Sequence, residues 1–444
     1  MSGIVGIAKP QTTTNVKRML DTIAYRGRST RIMETPLATL GITYVDGKAS
    51  NNKSLPQSHL NPIEKIADRF VIEQENKVII KRDRLGVAPL YYGWTDDGLL
   101  CFASEVKGLL AVTTDVHELP PGHTFDGQRL QAYYQLRKLP ENKHEPDTIA
   151  KELHRVLESV IRKHASMGVV GSWLSGGLDS SVMATLASQH TQSFHTFAAG
   201  MPGSPDLKYA RMLADHIKAE HHEVVVKIDD LLNALPDVIY HLESFDGWLV
   251  RSSIMNFLVS RLAAQYVTSI FSGEGGDELF GGYHYLKSLK PSNLADELID
   301  ITSRLHNTAL QRVDRCASAF GTDAYVDFLE PDVVDFALRI PTRYKVHDGV
   351  EKWILRQAIA DDLPDAILNR PKAKFWQGAG VQDLLERHAE EQISDADFSR
   401  ERRLPNGWQL RSKEELLYYR IFCERLGQLE DLSWMGRTKG MPVN

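Results

Sequence analysis

Val169-Val170-Gly171-Ser172-Trp173-Leu174, followed by Ser175-Gly176-Gly177-Leu178-Asp179-Ser180-Ser181, decides the fold. A six-residue apolar run ends in a turn built on two glycines. Helix-like spacing then begins at Val182-Met183-Ala184-Thr185-Leu186-Ala187. A buried strand, a tight turn and a helix are expected. The alternation continues downstream: Ser193 to Ala199 is strand-like, Leu207 to Lys218 helix-like and His222 to Val226 strand-like, then Arg251 to Gln265 helix-like and Val267 to Phe271 strand-like. Strands alternating with helices imply an α/β fold with a parallel, doubly wound sheet. From about Pro291 the pattern is largely helical.

Upstream, Ile149, Leu153, Val156, Leu157, Val160 and Ile161 mark an amphipathic helix. Before it, Lys138 to Asp147 is polar, charged and carries two prolines, which reads as a linker. Further back, short runs such as Lys77-Val78-Ile79-Ile80 and Leu99-Leu100-Cys101-Phe102 are separated by turn signals such as Asp96-Asp97-Gly98. That pattern predicts a mostly antiparallel N-terminal unit over 1–140 and a second unit over 148–444.

The 444 residues are 42% hydrophobic and 25% charged, with a net charge of −6, a globular mix that argues against a nucleic-acid-coating surface. No apolar run approaches the ~18 residues a membrane span needs, and the first residues carry no secretory pattern. Cys101, Cys316 and Cys423 are far apart and have no zinc spacing. A reduced, cytoplasmic setting is expected, with no nucleic acid and no membrane among the partners.

Two loops carry the chemistry. In the first, glycines let the backbone approach a polyanion, and consecutive N–H groups and the helix N-terminus hold it. The hydroxyls of Ser175, Ser180 and Ser181 add donors, and the lysine of a Walker loop is missing. Asp179 would repel phosphate unless Mg2+ lies between them; a plain glycine turn with an Asp helix cap is the other reading. The second loop is Phe271-Ser272-Gly273-Glu274-Gly275-Gly276-Asp277-Glu278-Leu279-Phe280-Gly281-Gly282-Tyr283. It also follows a strand, so it belongs at the same sheet edge. Its three carboxylates among five glycines are either a solvated acidic turn or a catalytic one, with Asp277 as a second Mg2+ ligand and Glu274 facing the reacting centre.

Both loops resemble those of the asparagine synthetase family and its β-lactam synthetase relatives, within the ATP-pyrophosphatase group. His195-Thr196-Phe197-Ala198-Ala199-Gly200-Met201-Pro202-Gly203-Ser204-Pro205-Asp206, Arg251-Ser252-Ser253, Glu351 to Arg356 and Arg370-Pro371-Lys372-Ala373-Lys374-Phe375 resemble further family blocks. The resemblance implies that Ser175, Gly176, Gly177, Asp179 and Ser180 bind the pyrophosphate of ATP. It implies that Leu174, Ala199, Ser272 and Gly273 line the nucleotide, and that Asp179 and Asp277 hold Mg2+. Glu274 matches the catalytic glutamate, and Lys372 the lysine facing developing negative charge. The implied reaction activates a small carboxylate substrate as its adenylate and lets an amine displace AMP. A homodimer is also implied.

The chain departs from the family in three places. Ser2 stands where glutamine-dependent members have the nucleophilic Cys. Tyr25-Arg26-Gly27-Arg28-Ser29 stands where H-R-G-P-D is usual, and no N-G-E-I-Y-N block occurs between Gly41 and Phe70. Arg82-Asp83-Arg84-Leu85-Gly86-Val87 still resembles the scaffold, so a folded but degenerate glutaminase-like (Ntn-hydrolase-like) domain is expected. Asp323-Ala324-Tyr325-Val326-Asp327-Phe328-Leu329-Glu330 replaces E-x-R-x-P-F-L-D, and the lost guanidinium puts aspartate in doubt as substrate. Arg251 is a candidate for gripping a substrate carboxylate, its other reading being a structural ion pair. β-Lactam synthetases use a Tyr–Glu dyad, and Tyr325 or Asp323 could rebuild one here. The expected reaction is ring closure by an internal amine, with ammonia-dependent amidation, and after it a non-catalytic ATP-binding protein, as the alternatives.

Overall fold

The computed structural model describes residues 2–45, 70–74, 76–166, 169–371 and 382–438. Ten short strands come first: β1 (Gly3–Ile7), β2 (Ser29–Glu34), β3 (Thr39–Tyr44), β4 (Val71–Gln74), β5 (Lys77–Lys81), β6 (Tyr91–Trp94), β7 (Leu100–Ala103), β8 (His117–Glu118), β9 (His123–Phe125) and β10 (Leu130–Ala132). They form two antiparallel sheets, ordered β2-β3-β1-β7-β6-β8 and β10-β9-β5-β4. Side chains alternate across each strand. Ile4, Leu40, Ile42 and Phe102 from one sheet therefore meet Val78, Ile80 and Phe125 from the other in a shared apolar layer. Val5 and Ile7 face the opposite way, onto Val16, Met19 and Ile23 of helix α1 (Thr13–Ile23).

No helix or strand lies between β10 and helix α2 (Pro146–Ala165), where the linker is expected. Beyond α2 comes a parallel sheet of β11 (Val170–Trp173), β12 (His195–Gly200), β13 (Glu220–Val225), β14 (Ser269–Phe271) and β15 (Asp323–Tyr325), ordered β13-β12-β11-β14-β15. The expected alternation is present, with boundaries moved by a few residues. Helix α3 (Leu178–Ser188) follows β11. Helix α4 (Pro205–His216) is capped by Ser204, and helix α5 (Gly247–Ala263) by Asp246, which accepts from the Leu249 N–H at 3.0 Å. β15 falls where the sequence reads as helical, because three residues are too few to show a period.

β11 and β14 are neighbours, with Ser172 opposite Phe271. Chain order runs outward from β11 to β12 and β13 on one side and from β14 to β15 on the other. The two loops therefore leave adjacent strands at the switch point of the sheet, where ligands bind in open α/β folds. Among the described residues, no helix is long and apolar enough to cross a membrane.

A buried charge network joins the first sheets to the helices that follow. Arg26 reaches Glu105 at 2.6 Å and Asp314 at 2.7 Å, and Arg315 reaches Glu105 and Glu243 at 2.9 Å each; all of these side chains are fully buried. Lys107 pairs with Glu105 at 2.5 Å. Burial pushes the Glu105 carboxyl up, but Arg315, Lys107 and Arg26 outweigh it and hold the group well below the usual carboxylate range.

His241 packs against this network, its ring edge-on to Tyr25 at 4.5 Å. Burial, with the Lys107 ammonium adding to it, pushes its imidazole down to about 3. The folded protein thus keeps His241 neutral, while the unfolded chain takes up a proton below the ordinary value of 6.5. Stability from this group is present above pH 6.5 and is lost as pH falls toward 3, with a ceiling of about 5 kcal/mol. The urea midpoint is expected to fall from pH 6.5 to pH 4.5, and His241→Phe to flatten that fall; parallel curves for the two proteins would refute the assignment.

Candidate functional site

The first loop needs glycine at Gly176. Its φ is +67°, and a Cβ there would strike the Tyr209 side chain and backbone. Gly177 then opens α3, whose N-terminus has no side-chain cap. Ser180 Oγ accepts from the Ser175 N–H at 3.3 Å and donates to the Gly177 carbonyl at 3.1 Å. Asp179 lies in the first turn of α3 rather than at the cap. Arg370 donates to the Ser175 carbonyl at 2.9 Å and pairs with Asp206, bracing the loop from outside.

The second loop packs directly on the first. A Cβ on Gly273 would lie 2.6 Å from the Ser180 nitrogen, and one on Gly276 would lie 2.5 Å from Asp179 Oδ1. Only hydrogen at those positions allows the approach. It brings Asp179 and Asp277 onto one cation: Lys352 Nζ contacts the Asp179 carboxylate and lies 2.5 Å from Asp277 Oδ1. The Lys352 side chain is 3% exposed, and its φ of 54° puts it in the left-handed region, a strained position for a non-glycine residue. Glu274 pairs with Arg312 at 2.5 Å. Next to them, burial, with Asp277 and Glu274 adding to it, pushes the Glu278 carboxyl up to about 8. The Tyr283 hydroxyl donates to it.

One cleft collects nearly all of the expected residues. Leu174, Ser175, Gly177, Asp179, Ser180, Ala199, Ser272, Gly273, Glu274 and Asp277 line it, while Gly176 sits behind it against Tyr209. Lys372 lies outside the described residues. Three expected residues are not in the cleft. Tyr325 stacks flat on His164, with ring centres 4.4 Å apart and planes 1° from parallel, and gives the cleft only a backbone carbonyl, which accepts from the Ser272 N–H at 2.9 Å. Asp323, two residues earlier on β15, is not among the lining residues either. His164 in turn meets Asp327 at 2.8 Å, so the altered block forms a packed cluster rather than a catalytic dyad. Arg251 lines a separate cavity with Trp248 and Lys413, its guanidinium held by Glu414 and, at 2.7 Å, by Glu386. The arrangement in the structure is that of the ion-pair reading.

Sequence reasoning missed Lys352, Arg312 and the role of Arg370. Lys352 and Arg370 stand inside the quoted family blocks, which was the available signal. Arg312 had none, being one of several polar residues on helix α6 (Ala309–Ser318).

A glycine turn opening a helix at the carboxyl edge of a parallel sheet, faced by a second carboxylate-bearing turn, is the layout of a phosphate-binding site in an α/β fold. The family model described as asparagine synthase matches residues 152–299 and 291–438, and the one described as glutamine amidotransferase domain matches residues 68–168. A probable glutamine-hydrolysing asparagine synthetase of Schizosaccharomyces pombe is 36% identical over 79% of this chain and 70% of its own length. Asparagine synthetase B (glutamine-hydrolysing) of Escherichia coli is 34% identical over 79% of this chain and 68% of its own. Among solved structures, an NMN synthetase from Francisella tularensis covers 65% of this chain and 98% of its own at 15% identity, with a TM-score of 0.29, which carries no argument. The chain belongs to the asparagine synthase family, with a glutamine amidotransferase-like N-terminal part, and is an ATP-dependent carbon–nitrogen ligase acting on small molecules.

Proposed function

We propose that this ligase activates the side-chain carboxylate of a small amino dicarboxylic acid, aspartate in the first instance, and amidates it with free ammonia. The observation that carries the reading is the cleft in which Glu274, on Arg312, stands beside the Asp179–Lys352–Asp277 cluster. The loop N–H groups and the hydroxyls of Ser175 and Ser180 hold the triphosphate, with Leu174, Ala199 and Gly273 against the base and ribose. Two carboxylates converging on one cation form a hard oxygen donor set that suits Mg2+, so Asp179 and Asp277 would hold it. When bound, Mg2+ would neutralise phosphate charge. Lys352 adds positive potential beside the phosphates, and Lys372 carries over from the family as a second such lysine. The substrate carboxylate attacks the α-phosphorus and pyrophosphate leaves. Glu274 then takes a proton as ammonia displaces AMP.

Two points favour ammonia over an internal amine or glutamine. Ring closure would call for a base beside the internal amine, and neither Tyr325 nor Asp323, the residues that could rebuild a Tyr–Glu dyad, lines the cleft. Position 2 is Ser, where the family resemblance implies a nucleophilic Cys in glutamine-dependent members. The Tyr325 ring itself packs on His164 and does not enter the cleft. The experiment is pyrophosphate release with ATP, Mg2+ and aspartate, comparing ammonium with glutamine. Ammonium is expected to support turnover at least tenfold better. Glutamine-driven turnover abolished by Ser2→Ala would overturn the choice of nitrogen source, and release with no added amine would restore ring closure.

A further inference from the structure

At the amino edge of the parallel sheet, on the far side from the cleft, three side chains converge. β12 and β13 run parallel with His195 opposite Glu220 and Phe197 opposite His222. Residues two apart on a strand share a face, so His195, Glu220 and His222 all project from the same side. His195 Nδ1 lies 3.2 Å from His222 Nε2 and 3.7 Å from Glu220 Oε2. The three ligand atoms fall within 4.8 Å of one another. Four-coordinate zinc, with bonds of about 2.0–2.2 Å, spaces its ligand atoms about 3.3–3.6 Å apart. The two spacings from His195 bracket that range.

We propose that His195, His222 and Glu220 form a divalent-cation site of the zinc type that clips the edge strand β13 to β12. Two imidazoles and one carboxylate are the donor set that zinc favours over magnesium. The surroundings support the carboxylate: the Ser193 hydroxyl donates to Glu220 Oε1 at 3.2 Å, leaving Oε2 toward the imidazoles. The Tyr266 ring lies 3.9 Å from that of His222, centre to centre, and covers it. Glu220 is 65% exposed, so water can reach a fourth position. Among the described residues β13 has a neighbour on one side only, and an edge strand is the part of a sheet that gains most from a tether. Ala199, which lines the cleft, is four residues along β12 from His195, or about 13 Å, so this site is separate from the phosphate loops.

The competing reading is a plain hydrogen bond between two imidazoles sharing one proton, and a metal titration decides between them. Tag-free, chelator-treated protein is titrated with Zn2+ and with Co2+ in excess Mg2+, which keeps the hard Asp179–Asp277 pair from scoring. One Zn2+ per chain is expected to bind, with the strong visible absorption of tetrahedral Co2+ and a rise in melting temperature on Zn2+ addition. His222→Ala is expected to weaken binding at least tenfold and to remove the Co2+ band. Glu220→Gln, at an exposed position that does not threaten folding, is expected to weaken binding about tenfold. No uptake by the parent protein, or uptake and spectrum unchanged in both variants, would overturn the site and leave the shared proton.

Discussion

Asp179→Ala is expected to cut aspartate-dependent ATP–pyrophosphate exchange by about 10³-fold, with the protein still folded. The carboxylate lies where the two loops touch, against Gly276 and on Lys352 together with Asp277. Its removal takes away a proposed Mg2+ ligand and leaves one carboxylate to position Lys352. Losing a single preorganised charge-stabilising group costs about 10²–10³-fold, and losing the metal's grip on phosphate adds to it. Asp179→Asn separates charge from shape, because it fills the same space and spares the glycine contact. Both variants are expected to fall together. Exchange within threefold of the parent in a folded Asp179→Ala protein would remove the two-loop cleft from the mechanism.

Arg26→Ala is expected to produce the largest loss of stability in the molecule. Glu105 would keep Lys107 at 2.5 Å and Arg315 at 2.9 Å. Asp314, fully buried, would keep, among the described residues, Arg315 at 4.0 Å. Leaving one member of a buried pair uncompensated costs about 3–5 kcal/mol. A urea titration at pH 7.5 measures it. The double variant Arg26→Met with Asp314→Leu is expected to recover part of the loss, since apolar residues often replace a buried pair at little cost. A loss below about 1 kcal/mol in Arg26→Ala would mean that water reaches the network.

The parallel sheet and both loops were legible because their signals are local: apolar runs of strand length, glycines at turns, and helical spacing directly after them. The cleft's cations were not. Lys352 meets Asp179 across 173 residues of chain, and Arg26 meets Asp314 across 288; no periodicity encodes such pairs. Tyr325 shows the converse. Its position within a recognisable block could be read, but not the direction of its side chain, and that direction turns it from a catalytic candidate into a partner of His164. Arg251 was equally visible and equally ambiguous until Glu414 and Glu386 supplied its counter-charges.

Helix α6 carries Arg312 into the cleft and, within one further turn, Asp314 and Arg315 into the buried network. Excising the N-terminal sheets would strip Asp314 of its arginine and Arg315 of Glu105. The disturbance would then sit three residues from the guanidinium that holds Glu274. The first sheets thus brace helix α6 through buried ion pairs, and a chain begun at α2 is expected to lose pyrophosphate release whatever chemistry the removed part performs.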